Sequence, residues 1–270
     1  MKKIWLGFLL LIPITVFSQT VEDLDKQYDE AKTISEIDKV AQGLQLLLAK
    51  NSGDYQLNWR MARAVWAKGD VLSIQYTAQN VKAVASNNDM DDYFAAEKDF
   101  NENQRNELLK IGTEARKYAE KAVSANPNGV EGRFFNALSI SMYAQGKTIV
   151  AALTEGLRGK FNEELDATMK MNRKYNEGGV LRLAGRAAYK LPWPLRDYEK
   201  SAKLLKEATE SFPANVRAWL YLADTYYKMG QEKEAKAAYT RVTQLTPTGL
   251  ELRDGSELKT IAQLKLNALK

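Results

Sequence analysis

Neither cysteine nor histidine occurs anywhere in the sequence. Without cysteine there is no disulfide, no thiolate zinc site, no cysteine nucleophile and no N-terminal cysteine to carry a lipid. Without histidine the commonest general base and the commonest transition-metal ligand are gone. Ser–His–Asp, Cys–His and HExxH chemistries are therefore excluded. A phosphate-cradling loop is missing too. Glu155-Gly156-Leu157-Arg158-Gly159-Lys160 holds glycines and a lysine without the GxxxxGK(S/T) spacing, and reads as a helix break. The expectation is a protein without catalysis, cofactor or bound metal.

Charge of one sign is also in short supply. The net charge is +5, and Lys2 and Lys3 at the extreme N-terminus supply two of those charges. The remaining basic residues are interleaved with Asp and Glu, as on a solvated helical surface. Nucleic-acid binding calls for a dense basic stripe, which this sequence lacks, so no nucleic-acid partner is expected. With 45% hydrophobic residues over 270 positions, the chain is long and apolar enough to bury a sizeable core.

The first residues read as an address. Lys2-Lys3 precedes an apolar run from Ile4 to Phe17, and Val16 and Ser18 supply compact residues at the −3 and −1 positions. This is the pattern of a secretory signal peptide over 1–18, with cleavage after Ser18. The run is short against the ~20 residues of a membrane span. The mature chain, 19–270, is expected outside the cytosol, in the periplasm first, with no stable membrane span.

A period of 34 residues organises the C-terminal half. In 216–249, Trp219, Leu222, Ala223 and Tyr226 share one helical stripe, Gly230 closes that helix, and Ala235, Tyr239 and Val242 mark a second, ended by Pro247. The unit before it, 179–213, carries Ala184-Gly185 as its small pair, Ser201, Leu205 and Ala208 on its second helix, and Pro213 at its end. Between its helices stands Leu191-Pro192-Trp193-Pro194-Leu195, whose prolines forbid a continuous helix; Trp193 is expected to fold back as a plug. These positions match the tetratricopeptide (TPR) repeat in one register. The fold expected is all-α, a TPR-like helical-hairpin solenoid with a long insertion in an early repeat and a C-terminal capping helix.

Earlier units are looser. Trp59, Ala62, Arg63 and Trp66 fit a first helix stopping at Gly69, and Ala115, Ala119, Ala122 and Pro127 fit its partner. The insertion between them, about 71–107, should lengthen both helices around an acidic turn at Asp89-Met90-Asp91-Asp92. That turn lacks the glycine and further oxygen ligands of a calcium loop. Phe134, Ala137 and Leu138 begin another unit, with a second helix over 161–175. Residues 21–31 and 36–49 read as a degenerate N-terminal pair, and 256–269 as the cap that an exposed solenoid end requires. Trp59, Trp66 and Trp219, at helical spacing, are read as core.

Several segments depart from plain TPR. Asn58-Trp59-Arg60-Met61-Ala62-Arg63-Ala64 comes before the insertion, and Glu114-Ala115-Arg116-Lys117-Tyr118-Ala119 after it. Leu191-Pro192-Trp193-Pro194 then leads into Asp197-Tyr198-Glu199-Lys200-Ser201-Ala202. This order resembles the regulator of microtubule dynamics family and is similar to the T component of tripartite (TRAP) periplasmic transporters. The resemblance implies a non-catalytic helical repeat that binds a protein partner in the cell envelope, or a periplasmic solute-binding protein within a transport system.

TPR arrays turn the first helix of each unit towards their concave face. Carried over position by position, that face receives Arg217, Leu220, Asp224, Tyr227 and Lys228 from the last unit. The unit before it contributes Arg182, Arg186, Tyr189 and Lys190, and the first contributes Leu57, Arg60 and Lys68. Arg60, Arg182, Arg186 and Arg217 are thereby candidates to converge on an acidic peptide or a carboxylate-bearing solute, because guanidinium forks pair with carboxylates. The alternative is that they pair with neighbouring Asp and Glu on a solvated face, at ~0–1 kcal/mol per exposed pair.

Overall fold

The computed structural model describes residues 19–269; the segment 1–18, expected to be a signal peptide, lies outside them. Among the described residues there are thirteen α-helices and no strand. The chain opens with α1 (Val21–Glu30) and α2 (Ile34–Leu48). Each begins with a capping box, Thr20 with Asp23 and Thr33 with Glu36, which satisfies backbone N–H groups that a helix start leaves unpaired. Then come α3 (Tyr55–Ala83), α4 (Met90–Ala96), α5 (Glu102–Ala125) and α6 (Val130–Lys147). They are followed by α7 (Ile149–Thr154), α8 (Leu157–Met171), α9 (Tyr175–Lys190), α10 (Tyr198–Ser211), α11 (Val216–Lys228), α12 (Glu232–Gln244) and α13 (Gly255–Ala268). Among the described residues no helix is long and apolar enough to cross a membrane.

The repeat units appear as antiparallel hairpins: α3 with α5, α6 with α8, α9 with α10 and α11 with α12. Regular helix geometry in α9 starts only at Gly179, because Asn176, Glu177 and Gly178 have φ of 52, 51 and 74°. Small residues allow the tightest contacts. On α5, a Cβ at Gly112 would lie 2.5 Å from the Tyr143 backbone nitrogen of α6. The stripe residues are core as expected: Ala223, Ala235, Tyr239 and Val242 are fully buried. Trp59 is buried and stacked on Phe135 with ring centroids 6.1 Å apart.

Three expectations are corrected. Gly69 does not stop its helix, since α3 runs 29 residues straight through it. That glycine serves packing instead: a Cβ there would come within 2.8 Å of Ile111 Cγ2 on α5. Trp193 is no plug, being 86% exposed on the loop between α9 and α10. The second helix of the third unit begins earlier than 161: α8 starts at Leu157, after the left-handed Gly156 (φ 73°) has separated it from the short α7.

The insertion does lengthen α3 and α5, and this reshapes the whole array. The additional turns of α3 carry it past its own unit to pack against α13. The cap helix α13 also rests on α12, α11 and α4. At the other edge, Arg253 joins the two ends of the chain. Its Nε donates to the Ala31 carbonyl at 2.8 Å, its Nη2 donates to the Tyr28 carbonyl, and its guanidinium lies 4.3 Å from the Tyr28 ring centroid. The two ends of the array therefore meet, and its concave face becomes the wall of a half-open space.

Candidate binding cavity

That space has a volume of about 690 Å³ and is lined by residues of α3, α6, α7, α8, α9, α11 and α13. Its charged wall is one stripe of α9. Arg182, Arg186 and Lys190 stand at i, i+4 and i+8, so they share one face of the helix. Seven cationic and four anionic side chains line the cavity, which makes it electropositive.

The middle of the stripe is neutralised. Arg186 Nη1 donates to Asp224 Oδ2 at 2.8 Å and its Nη2 to Glu97 Oε2 at 3.5 Å. Lys265, fully buried on α13, bridges the same two carboxylates at 2.5 and 2.6 Å, and the Tyr239 hydroxyl donates to Asp224 at 2.7 Å. Two cations thus face two carboxylates in the interior. Burial by itself would lower the Arg186 pKa, but Asp224 and Glu97 outweigh it and raise it. Burial would raise that of Asp224, and Lys265 and Arg186 bring it below the usual carboxylate value.

Arg217 is satisfied in a second cluster. Its Nη1 donates to both oxygens of Asp70 on α3 at 2.8 Å, and its Nη2 donates to Asp254. Glu251 accepts from the backbone N–H groups of Val216 and Arg217 at 3.0 Å each, which caps the start of α11 with negative charge. The Asp70–Arg217 pair ties α3 to α11 from opposite sides of the concave face. Asp254 is pushed up to about 7 by burial, with Asp70 and Glu251 opposing the pull of Arg217.

The two ends of the α9 stripe differ. Both Arg182 and Lys190 line the cavity, and among the described residues neither makes an ion pair or a side-chain hydrogen bond. Burial, and then the neighbouring Arg217 charge, lowers the Arg182 pKa. Burial, and then Arg186, lowers that of Lys190 to about 8. Apolar side chains of α6, α7 and α8 line the same cavity, among them Leu138, Leu153, Phe161 and Leu165.

Of the residues expected on the concave face, Arg182, Arg186, Lys190, Arg217 and Leu220 line the cavity. The other seven sit elsewhere, among them Lys228, paired with Asp91, Lys68, paired with Asp38, and the buried Leu57. Arg60 faces α1, paired with Asp25 at 2.7 Å. Tyr189 is buried beside Tyr198, and Tyr227 stacks on Phe94 at 5.4 Å. Asp224 is fully buried beneath Arg186. In the acidic turn, Asp89 caps α4, Asp92 accepts from Asn87, and Asp91 pairs with Lys228. Asp70, Glu97, Asp254 and Lys265 escaped the reading of the sequence, because repeat register places a residue on its own helix and says nothing of what an insertion brings across the array.

The tetratricopeptide repeat model matches residues 195–253, which span α10 to α12. No curated protein matches the sequence. Among solved structures, a thermophilic TPR protein from Thermus thermophilus is similar at 17% identity and a TM-score of 0.56, over 88% of this chain and 99% of that one. A tetratricopeptide repeat protein from Parabacteroides merdae aligns at 17% identity and a TM-score of 0.36, over 93% and 99% of the two chains. Yeast Tom70 aligns at 14% identity and a TM-score of 0.34, over 87% of this chain and 59% of its own. The chain has a TPR-like helical-repeat fold, an architecture that generally serves as an interaction module.

Proposed function

We propose that this protein is an extracytoplasmic, non-catalytic TPR-like binding module that holds a small solute in its concave cavity. The observation that carries the reading is that ion pairs cross the face on which an open TPR array receives a partner segment. A partner helix is about 10–12 Å across. Here the Arg217–Asp70 and Arg186–Glu97 pairs, at 2.8 and 3.5 Å, stand across that face. The volume that remains, about 690 Å³, falls within the roughly 300–1,000 Å³ typical of small-molecule sites. The leader-like segment 1–18 supports a place in the periplasm. The likeness of the 58–64 and 191–194 segments to a transporter T component supports a solute-handling role beside a periplasmic solute-binding protein.

The test pairs the natural chain with a cavity-filling variant, Ala187→Phe, in thermal denaturation against a panel of small organic solutes. Ligands should raise the melting temperature of the natural chain and leave the filled variant unmoved. Equal shifts in both would remove the cavity from the argument. Fractionation of the expressing cell tests the location, and a chain retained in the cytosol with 1–18 intact would contradict it.

A second reading, a scaffold for a protein partner in the cell envelope, is favoured by one feature. Trp193 is 86% exposed, while its loop neighbours Leu191 and Leu195 line the cavity. An exposed indole at the rim is the residue type that anchors protein contacts. Affinity capture from envelope extract with natural and Trp193→Ala baits separates the readings, since a partner lost with the indole belongs to the scaffold.

A further inference from the structure

We infer that the cavity selects an elongated organic anion with an acidic group at each end and an apolar middle, the ends meeting Arg182 and Lys190. The inference rests on the small-solute reading above and adds the chemistry of the solute.

The argument is one of uncompensated charge. The cations packed beside the α9 stripe are matched: Arg186 and Lys265 share Glu97 and Asp224, and Arg217 has Asp70 and Asp254. The other two carboxylates that line the cavity, Asp166 and Asp197, make no ion pair with Arg182 or Lys190. Arg182 and Lys190 remain, both on the cavity wall, both without a partner among the described residues. Each also has a like charge close by, Arg217 for Arg182 and Arg186 for Lys190. A cation held inside a protein without a counter-charge is costly, and an anion bound from solution removes that cost.

Spacing then says how the negative charge is distributed. Eight residues of helix separate the two cations, a rise of about 12 Å. Arg186 stands between them and is already neutralised. A compact anion meets only one end of the stripe, whereas a two-headed one meets both. Along the way Leu183 and Ala187 of α9, Leu138 of α6, and Phe161 and Leu165 of α8 line the cavity. These apolar side chains suit a hydrocarbon chain.

The experiment is calorimetric titration of the mature chain with decanedioate, decanoate, butanedioate and decanol. The extended ten-carbon diacid matches the separation of the two cations. We expect decanedioate to bind about tenfold more tightly than decanoate, as one additional charge-assisted contact predicts. Butanedioate, too short to span the stripe, should bind more weakly than decanedioate. Arg182→Gln and Lys190→Met, each shown folded by circular dichroism, should bring decanedioate down to the affinity of decanoate. Decanoate and decanol binding as tightly as the diacid would overturn the inference while leaving the cavity reading in place. Unchanged decanedioate affinity in both variants would overturn it as well. Absence of binding by all four compounds would take down both.

Discussion

Replacing Lys190 by methionine should make the folded protein more stable, the reverse of what removal of an interior charged side chain usually does. The lysine has no carboxylate of its own. Burial, Arg186 and Lys98 act against its proton, while Glu97 and Asp224 act for it with their charges already shared by Lys265 and Arg186. Its pKa falls from 10.5 to about 8. At ~1.4 kcal/mol per tenfold step, protonated Lys190 disfavours the folded state by roughly 3 kcal/mol at about pH 7. The sign follows from linkage. Between about pH 8 and 10.5 the unfolded chain holds this proton and the folded chain does not, so stability rises with pH across that window. A methionine of similar length removes the charge and keeps the apolar stem. Urea unfolding of both proteins should therefore show a gain of about 3 kcal/mol at about pH 7, shrinking to about half of that at about pH 9.5. Other titrating groups are common to both chains and cancel in the difference. A gain independent of pH would assign the effect to packing alone. A loss at both pH values would show that Lys190 has a counter-charge and would refute the reasoning.

Three other substitutions probe the frame around the cavity. Lys265→Met leaves Glu97 and Asp224 with Arg186 as their only hydrogen-bonded cation, and should lower stability by about 3–5 kcal/mol in urea unfolding. Arg253→Met removes the donors to the Tyr28 and Ala31 carbonyls; α1 and α2 should then exchange their amide hydrogens faster, with α11 and α12 unchanged. Trp193→Ser, at a side chain 86% exposed, should change stability by no more than about 0.5 kcal/mol; a loss of several kcal/mol would restore the plug.

Helix identity was legible because each unit carries its own signals. The stripe of Trp219, Leu222, Ala223 and Tyr226, the closing Gly230 and the terminal Pro247 are local features, and α11 and α12 follow them closely. Gly69 misled for an equally local reason. A glycine ends a helix when the chain needs a left-handed residue, yet it also sits inside a helix when another backbone or side chain comes close. Only the packing of Ile111 and Met142 against Gly69 distinguishes the two. On α9, three of the four residues assigned to the concave face, Arg182, Arg186 and Lys190, line the cavity from one face of the helix, and Tyr189 does not. The assignment failed for Arg60 because α1, which brings Asp25, occupies that side of α3. Trp193 was read from its two flanking prolines, which rigidify a loop without saying which way the ring points.

The insertion is what separates this chain from an open TPR array. An ordinary unit presents its first helix to solvent on the concave side, and arginines there find water or a partner. In this protein the lengthened α3 and the α4 segment return to that side carrying Asp70 and Glu97, and α13 adds Lys265. Two of the three α9–α11 arginines, Arg186 and Arg217, are thereby converted from groove residues into ties between helices. The same arrangement brings no hydrogen-bonded carboxylate to Arg182 or Lys190, which face the cavity. Interior ion pairs contribute little net stability over apolar packing of similar volume, so the ties matter chiefly for holding the walls of the cavity at a fixed separation. A rigid wall with unsatisfied charge at defined positions discriminates between ligands more sharply than a flexible one, because an anion of the wrong length leaves a buried cation unpaired. Selectivity by length, more than affinity for any one anion, is what this arrangement of α3, α9 and α11 is built to deliver.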